Sequence, residues 1–367
     1  MLMPYLLAFL VALSPAADQP AATAAGSAPR TAAAQPEGLA AYVEQQARQG
    51  FSGAVLVARG AEVLLEQEAT TGAATRPVRA YWLGSLSKQF AAAAVLKLAE
   101  QGRLQVQDSL PRFFAAVPAD KRRITLHQLL THTAGLADRY SADGETDFNR
   151  AVRAILRQPL SAAPGKGYRY SSDGYALLAL AVEKAAGMPY EQYLRTQLLE
   201  PAGLRQTGFW GEPLPPDLKL APVLDEQRTR RVDSRVYRQG QSQANYGYRG
   251  ATGMYSTARD LLRWISALRG RQLLGEGSLR QLWAPAVPVR REGEREVFYG
   301  YGWVVLTRGG QTVELRHSGV EDWLGHNSHL ILAGEYTIAV LSNAGDPNGE
   351  AWSRKVAEGL QQRLAAP

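Results

Sequence analysis

The chain has 367 residues, of which 46% are hydrophobic and 20% are charged, and it carries a formal net charge of +7 at pH 7. These values describe a globular protein that is large enough for two lobes sharing one site, and they exclude an intrinsically disordered chain. The chain has no cysteine, so disulfide bonds, a lipid-modified cysteine anchor and thiol chemistry are excluded as well.

The first residues have the composition of a targeting segment. An apolar run from Tyr5 to Leu13 is followed by the small residues Ser14 to Ala17, which suit cleavage by a signal peptidase. We therefore predict a signal peptide over 1–17 and an exported protein, periplasmic or secreted, and no transmembrane span, because the run is too short. No Lys or Arg precedes the run, so an uncleaved interfacial anchor is the alternative. Residues 18–37 are rich in Ala and Pro and predict a linker before a folded domain over 38–365.

The folded part begins with a helix and a hairpin. Leu39–Gln49 suits a helix, and two β-rich runs, Ser52–Arg59 and Glu62–Glu66, flank a turn. A core helix follows over residues 89–99, which are strong helix formers and are apolar on nearly every side. Gly102 then ends this helix.

Helical segments dominate the middle of the chain, and strands return after it. The clearest helical segments are Leu126–His132, Thr146–Arg157, Tyr175–Ala186 and Pro189–Leu199. The later β-rich runs are Val297–Leu306, Thr312–Arg316, His326–Leu332 and Tyr336–Leu341, and an amphipathic helix over Gly349–Leu364 closes the chain. This order predicts one α/β lobe from about 38–84 and 245–365, one all-α lobe over about 85–244, and a cleft between them.

A hydroxyl and an amine, those of Ser85 and Lys88, lie one helical turn apart just before the core helix. Ser85 is expected at the helix start, where free backbone amides and the helix dipole favour negative charge by roughly 0.3–1 kcal/mol. This is the Ser-x-x-Lys arrangement of a serine nucleophile with an amine neighbour. An ordinary lysine, with a pKa near 10.4, is neutral in only about one molecule in 10³ at pH 7, so burial or another cation must lower its pKa. The motif alone is also expected about once by chance in a chain of this length.

Two later segments supply further candidates for the same cleft. Residues 164–175 form a turn-rich loop that runs into a predicted helix and presents Tyr170 and Ser172 at the cleft edge. In residues 315–320 a strand ends in small residues, which let a substrate lie alongside the backbone. We take Ser172, Ser318 and Gly319 as candidate substrate-binding residues.

With these elements the chain resembles the serine β-lactamase-like superfamily, in the branch of class C β-lactamases, D-alanyl-D-alanine carboxypeptidases, D-aminopeptidases and related esterases. Further segments carry the resemblance in the order typical of the family: 124–136, 199–208, 250–264 and 299–303. The resemblance implies a β-lactamase/transpeptidase-like α+β fold, with an antiparallel sheet flanked by the N- and C-terminal helices and an all-α lobe.

The resemblance also assigns roles to residues at matching positions. It implies that Ser85 attacks a carbonyl carbon, that Lys88 is the neighbouring amine and that Tyr170 is the base or proton shuttle. His317 stands where many relatives have the lysine of a Lys-Thr-Gly triplet. The backbone amides of Ser85 and Val320 are implied as the oxyanion hole, and such a donor is typically worth ~10²–10³ in rate. Cationic neighbours are expected to lower the pKa of Tyr170 from its ordinary value of about 10.

Two positions depart from the family pattern. The family's Tyr-x-Asn is Tyr170-Ser171-Ser172 here, so a side-chain amide that contacts the acyl amide of the substrate is replaced by a shorter hydroxyl. A lost buried hydrogen bond of this kind costs about 1–3 kcal/mol. His317 in place of lysine removes a permanent charge that would hold a carboxylate. Both changes favour an esterase or a D-amino-acid peptidase over an efficient β-lactamase.

The remaining basic residues and histidines do not favour nucleic acid or metal binding. His326 and His329 lie three apart in a predicted strand and point to opposite faces, which makes a poor metal pair. His127 and His132 are expected to be packed structural residues, and we predict no metal and no cofactor. Several excess arginines lie in Pro- and Gly-flanked segments that we interpret as connecting loops: Arg228, Arg230, Arg231, Arg235, Arg238, Arg290, Arg291 and Arg295. Without interleaved aromatic residues they disfavour nucleic acid and leave attraction to an anionic cell envelope open.

The leading hypothesis is therefore an exported serine acyl hydrolase that forms a covalent acyl-enzyme on Ser85 and acts on a small-molecule or peptide acyl substrate. The rival hypothesis is a catalytically weak binding or scaffold member of the same fold at the cell envelope, which Ser172 and the basic, Pro-rich connector near 212–240 suggest. The absence of a Gly-x-Ser-x-Gly elbow disfavours the α/β-hydrolase route to the same esters.

Overall fold

The computed structural model describes residues 36–69, 78–224, 231–232, 245–321, 326–344 and 351–365. The folded unit begins at Pro36. The predicted signal peptide and nearly all of the predicted linker lie outside the described residues, as do the side chains of the arginines between 228 and 238.

The helices and strands have the following bounds. The helices are α1 (Pro36–Gln49), α2 (Lys88–Glu100), α3 (Leu126–Leu130), α4 (Phe148–Leu156), α5 (Ser172–Ala186), α6 (Tyr190–Leu194), α7 (Ala258–Arg269), α8 (Glu276–Leu282) and α9 (Trp352–Ala365). The strands are β1 (Gly53–Arg59), β2 (Glu62–Ala69), β3 (Val78–Trp82), β4 (Gly208–Phe209), β5 (Leu218–Leu220), β6 (Val223–Leu224), β7 (Arg231–Val232), β8 (Met254–Ser256), β9 (Val287–Glu292), β10 (Arg295–Tyr299), β11 (Val304–Arg308), β12 (Gln311–Glu321), β13 (His326–Ala333) and β14 (Tyr336–Ser342). Short 3-10 helices lie at Gly84–Ser87, Leu110–Arg112 and Ala119–Lys121, and Arg195–Leu199 is a π-helical turn after α6.

The main sheet joins strands from both ends of the chain. Within the described residues it has eight antiparallel strands in the order β2-β1-β14-β13-β12-β11-β10-β9. Side chains alternate across it, as a strand period of two requires. Val55 and Val57 of β1 face α1 and α9, in one core with Val356 of α9. Leu56 and Ala58 lie instead in the larger core on the other face. The antiparallel sheet with flanking terminal helices confirms the predicted architecture.

The helices between β3 and β8 pack around α2 and α5. Both are buried along most of their length, because their Ala- and Leu-rich sequences are apolar on nearly every side. The region that was expected to form an all-α lobe is not wholly helical, however. Strands β4 and β5 come from the region expected to be all-α, and they join β3 and β8 in a small sheet of order β4-β8-β3-β5. This small sheet holds β3, which leads directly into the turn that carries Ser85.

The prediction that Arg290, Arg291 and Arg295 lie in connecting loops is wrong. They belong to β9 and β10, which form a hairpin at the edge of the main sheet. Their charge is tolerated there because an edge strand is exposed and because acidic partners are close. Arg290 pairs with Glu292 at 2.5 Å, and Arg295 pairs with Glu314 at 3.2 Å.

The run Val297–Leu306 was predicted as one strand and is two. Strands β10 and β11 are antiparallel neighbours, and the chain turns between them at residues 300–303. Gly302 has a φ of 74° in this turn, a conformation that glycine adopts without cost. An alanine Cβ at that position would lie 2.8 Å from the Lys88 carbonyl oxygen, so this turn packs closely on the start of α2.

None of the helices in the part of the chain that the structure describes is both long and apolar enough to cross a bilayer.

Candidate active site

A tight turn presents Ser85 next to Lys88. Gly84 has a φ of 54° and opens the 3-10 helix Gly84–Ser87, and α2 then begins at Lys88 itself. Lys88 is fully buried, and its Nζ donates hydrogen bonds to Ser85 Oγ at 3.0 Å and to the carbonyl oxygen of Ala251 at 3.0 Å. The two residues therefore meet one turn apart at a helix start, as the sequence spacing indicates.

Tyr170 reaches the same oxygen from the loop before α5. Its hydroxyl donates to Ser85 Oγ at 2.7 Å, and Lys88 Nζ lies 4.8 Å from the centre of its ring. The expectation that cationic neighbours lower the pKa of this phenol is wrong. Burial raises the pKa of Tyr170 well above 10, and the hydrogen bond with Ser85 offsets only part of that rise. Tyr170 is therefore a neutral phenol in the resting site, able to donate a proton.

His132 contacts the segment that carries Tyr170 at three consecutive residues, a role that the sequence did not reveal. Its carbonyl oxygen accepts from Arg169 N at 2.7 Å, and its Nδ1 accepts from Ser171 N at 3.1 Å. Its ring centre lies 4.3 Å from that of Tyr170. The backbone and the side chain can both face this loop because His132 has a φ of 57°, which is uncommon outside glycine.

The environment of His132 keeps its imidazole neutral. Burial lowers its pKa well below 6.5, and the positive charge of Lys88 adds to that effect. With Nδ1 accepting a hydrogen bond, the proton of the neutral ring is on Nε2. That buried nitrogen has no hydrogen-bond partner among the described residues. A left-handed backbone and an unsatisfied donor are costs that concentrate at functional sites. In the sequence, the only signal was a histidine two residues after the end of α3, within the segment 124–136 that carries the family resemblance.

His317 is also a neutral imidazole. Burial lowers its pKa to about 4, with a further contribution from Lys88. Its Nδ1 lies 2.7 Å from the carbonyl oxygen of Ser318, which can only accept, so Nδ1 carries the proton. Its Nε2 then accepts from the Tyr299 hydroxyl at 3.0 Å. A lysine at this position would be a cation, whereas His317 offers no charge at neutral pH.

The end of strand β12 lies against the nucleophile turn. An alanine Cβ at Gly319 would lie 1.9 Å from the carbonyl oxygen of Leu83 and 2.8 Å from Ser85 N. One at Gly84 would lie 2.7 Å from Val320 N. Both positions therefore require glycine. The nucleophile turn and the end of β12 lie side by side, and these two segments carry the backbone amides of Ser85 and Val320. An oxyanion hole needs two amides in such an arrangement.

The candidate substrate-binding residues divide into two groups. A cavity of about 1040 Å³ beside the nucleophile is lined by Ser85, Tyr170, His317, Ser318, Gly319 and Val320, with other residues. Ser172 does not contribute to this lining and is only 2% exposed. The expectation that Ser172 lies at the cleft edge is wrong, because α5 begins at Ser172 and this residue belongs to the first helical turn. Its backbone amide donates a hydrogen bond to the Asp138 carboxylate at 2.9 Å.

Two of the other histidines form hydrogen bonds away from Ser85. His127 Nδ1 lies 2.7 Å from the Tyr301 hydroxyl, and His326 Nδ1 accepts from Trp82 N at 3.1 Å. No group of three or more His, Asp or Glu side chains within the described ranges is arranged to hold a metal ion.

The fold and the Ser-Lys-Tyr constellation define a serine hydrolase. The family model described as Beta-lactamase matches residues 39–362. The chain belongs to this family.

Named relatives include a penicillin-binding protein and an esterase. The chain is 28% identical over 314 residues to Penicillin-binding protein 4* of Bacillus subtilis (strain 168), which covers 80% of this chain and 68% of that protein. It is 29% identical over 341 residues to Esterase EstB of Burkholderia gladioli, with 78% of this chain and 84% of that protein covered. Among solved structures, a D-amino acid amidase from Ochrobactrum anthropi SV3 has a TM-score of 0.72 at 20% identity, and the match covers 90% of this chain and 96% of that one. This last likeness shows the shared fold.

Proposed function

We propose that the protein hydrolyses esters or D-amino-acid amides through a covalent acyl-enzyme on Ser85. The observation that carries the proposal is the convergence of two proton-transfer groups on one oxygen. Tyr170 OH and Lys88 Nζ lie 2.7 Å and 3.0 Å from Ser85 Oγ. Both distances are within the range needed for general acid–base catalysis.

The chemistry follows from this geometry. Ser85 Oγ attacks the substrate carbonyl carbon while its proton passes to the neutral amine form of Lys88. The negative charge of the tetrahedral intermediate is stabilised by the backbone amides of Ser85 and Val320. Tyr170 gives its proton to the leaving oxygen or nitrogen and recovers one from Lys88. Water then attacks the acyl-enzyme by the same route, which releases the acid and returns the proton to Ser85.

The charges around the cleft support an ester or amide over a β-lactam. A β-lactam carries a carboxylate, and His317 supplies no positive charge to hold it. Four arginines line the same cavity, and each has an acidic partner. Glu292 pairs with Arg290 at 2.5 Å and with Arg316 at 2.8 Å. Arg295 pairs with Glu314 at 3.2 Å, and Arg354 pairs with Glu358 at 3.5 Å. The names of the relatives, an esterase and a D-amino acid amidase, support the same classes of substrate.

Active-site labelling tests the proposal. Purified protein is incubated with a fluorophosphonate, and the adduct is located by peptide mass spectrometry. We expect the label on Ser85, its loss in Ser85→Ala and its retention in Ser87→Ala, a matched control whose buried hydroxyl has no hydrogen-bond partner in the described structure. Tyr170→Phe should slow hydrolysis by about 10²–10⁴. An unlabelled Ser85 in folded protein, under conditions that label a related esterase, would refute the proposal.

A substrate panel separates the remaining alternatives. It contains p-nitrophenyl esters, D-alanyl peptides and nitrocefin, each assayed with wild type and Ser85→Ala. The proposed function predicts Ser85-dependent turnover of esters or D-peptides that exceeds turnover of nitrocefin. A binding or scaffold protein would show no difference between wild type and Ser85→Ala.

We also propose that the protein is exported and acts in the cell envelope or outside the cell. The apolar run and small residues in 1–17 support export, and the net charge of +7 supports attraction to anionic surfaces. Expression in a bacterial host followed by N-terminal sequencing of the envelope and medium fractions tests cleavage near residue 17. An intact N-terminus in the membrane fraction would favour the uncleaved anchor, and one in the cytoplasm would refute export.

A further inference from the structure

Strand β13 begins with a run of polar residues that hydrophobic packing does not explain. The run is His326-Asn327-Ser328-His329, and each of these residues is at most 4% exposed. Burying a polar side chain costs free energy unless it is hydrogen-bonded. The hydrogen bonds that the run makes therefore indicate what it does.

Two residues of the run bond to the backbone next to the nucleophile turn. His326 and Ser328 lie on the same face of β13, because side chains two residues apart in a strand point the same way. His326 Nδ1 accepts from Trp82 N at 3.1 Å, and Ser328 Oγ donates to the carbonyl oxygen of Leu83 at 2.7 Å. These backbone groups belong to the two residues that directly precede the nucleophile turn. We call His326 and Ser328 the β13 anchors.

Ser328 reaches the nucleophile turn across strand β12. In the sheet it pairs with Gly319, so the two residues lie side by side on neighbouring strands. An alanine Cβ at Gly319 would lie 2.8 Å from Ser328 Oγ and 1.9 Å from the carbonyl oxygen of Leu83. A side chain at 319 would therefore occupy the space through which this hydrogen bond passes. Gly319 thus leaves room for β13 to bond to the nucleophile turn.

The carbonyl group of Leu83 lies close in the chain to an amide of the oxyanion hole. It accepts from Leu86 N at 3.3 Å and so forms part of the nucleophile turn. Its peptide group is planar, so only the φ and ψ of Gly84 separate it from the peptide group that carries the Ser85 amide. Glycine has the widest range of allowed φ and ψ. A fixed Leu83 carbonyl therefore limits how far the Ser85 amide can move.

We propose that Ser328 is a positioning residue that fixes the distance between the two amides of the oxyanion hole, and that His326 supports it. The inference rests on the function proposed above. The Ser85 amide is held through Leu83, and the Val320 amide belongs to β12, which pairs with β13. One strand thus contacts both halves of the oxyanion hole. Neither of the β13 anchors lines the cavity beside the nucleophile, so their effect on catalysis passes through the backbone.

Steady-state kinetics with p-nitrophenyl acetate test the proposal. Acylation and deacylation both pass through a tetrahedral oxyanion, so a misplaced amide slows the two steps together. For Ser328→Ala we expect kcat and kcat/KM to fall by about 10- to 100-fold with little change in KM. His326→Leu should lower kcat in the same direction, and His326→Asn should recover it because the asparagine Oδ1 can accept from Trp82 N.

Inhibition by phenylboronic acid separates positioning from a general loss of structure. When the serine oxygen bonds to boron, the adduct is a tetrahedral anion that resembles the oxyanion intermediate, and such analogues bind in proportion to transition-state stabilisation. The inhibition constant should therefore rise in Ser328→Ala by about the same factor as kcat/KM falls.

Ser342→Ala is the matched control. Ser342 lies on β14, which pairs with β13, and it is fully buried like Ser328. Its hydroxyl donates to the carbonyl oxygen of Ser52 at 2.8 Å, so alanine deletes the same kind of hydrogen bond elsewhere in the sheet. Thermal unfolding should shift to lower temperature in both alanine variants, whereas kcat and the inhibition constant should change only in Ser328→Ala. All rates are measured below the unfolding transition of each variant.

Several outcomes would overturn the proposal. Wild-type kcat in folded Ser328→Ala, an equal loss of kcat in Ser342→Ala, or a fall in kcat without a rise in the inhibition constant would each do so. If Ser328→Ala does not fold, the His326 variants decide, and wild-type kcat in folded His326→Leu would overturn it. Ser85-dependent turnover that Ser328→Ala leaves intact would refute this inference alone, whereas failure to label Ser85 in wild type would refute the proposed function as well.

Discussion

Replacing His132 tests whether the catalytic tyrosine is positioned by a single residue. In His132→Leu, the buried amide of Ser171 loses its acceptor, which costs about 1–3 kcal/mol. Wild-type histidine already carries a Cβ in this left-handed conformation, so leucine adds little backbone strain at a φ of 57°. We therefore expect the free energy of unfolding to fall by about 1–3 kcal/mol and the Tyr170 loop to move away from Ser85.

His132→Asn is the matched control. The asparagine Oδ1 sits one bond beyond Cγ, as histidine Nδ1 does, so it can accept from Ser171 N, and asparagine tolerates a left-handed backbone. This variant loses only the ring that packs on Tyr170, a contact worth about 0.5–1.5 kcal/mol. Asparagine should therefore restore most of the stability and most of the activity that leucine removes.

The assay combines urea unfolding with the second-order rate of fluorophosphonate labelling of Ser85. Labelling is measured where both variants are fully folded, so a lower rate reports displaced catalytic groups. A displacement of about 1 Å can cost 10²-fold in rate. We expect slow labelling in His132→Leu and recovery in His132→Asn. The reasoning fails if folded His132→Leu is labelled at the wild-type rate, or if the two variants are equally impaired.

Three further changes have defined outcomes. Gly319→Ala should abolish labelling of Ser85, because its Cβ would lie 1.9 Å from the carbonyl oxygen of Leu83. The control is Gly277→Ala, whose Cβ would meet nothing within 4 Å, so this variant should keep activity and gain about 0.5–1 kcal/mol in stability. Normal labelling of Gly319→Ala would contradict this prediction. Burial lowers the pKa of His329 to about 3, so the unfolded chain binds a proton below pH 6.5 that the folded chain does not, and stability falls as the pH falls through this window. His329→Leu should therefore be more stable than wild type by roughly 3 kcal/mol at pH 4.5 and show no such gain at pH 7, measured by urea unfolding; an unchanged pH dependence would show that His329 is not the group responsible. His317→Lys should raise labelling by a fluorescent penicillin relative to a neutral phosphonate, and no change in that ratio would show that the missing charge does not limit β-lactam binding.

Features that depend on local spacing could be predicted from the sequence. The contact between Ser85 and Lys88 follows from their spacing of three residues at a helix start. The hairpin of β1 and β2 follows from two β-rich runs on either side of a glycine. The apolar α2 and α5 were expected as core helices because nearly every position in them is hydrophobic. Strands at both ends of the chain predicted that the two ends share one sheet-containing lobe, and the structure pairs β1 with β14.

Features that depend on contacts between distant segments could not be predicted. His132 contacts Tyr170, which lies 38 residues later in the sequence, and it does so with a positive φ that could not be predicted for a histidine. The arginines of β9 were assigned to loops because their charge hid the strand pattern, although the Glu-Gly-Glu turn at 292–294 between two extended runs was a hairpin signal. The burial of Ser172 depended on where α5 begins, and helix starts are poorly defined by composition alone.

The raised pKa of Tyr170 decides how the proton leaves Ser85. In the resting geometry both Tyr170 OH and Lys88 Nζ lie within hydrogen-bond distance of the serine oxygen, so the base is either the phenolate of Tyr170 or the neutral amine of Lys88. Burial makes phenolate costly at Tyr170, and the neutral imidazole of His317 contributes no positive charge to offset that cost. The amine of Lys88 is then the better acceptor, and Tyr170 the donor to the leaving group. In that case Tyr170→Phe should slow acylation by a poor leaving group, such as an alkyl ester, far more than acylation by a p-nitrophenyl ester, whose leaving group departs without a proton. Equal losses for both esters would make Tyr170 the base instead.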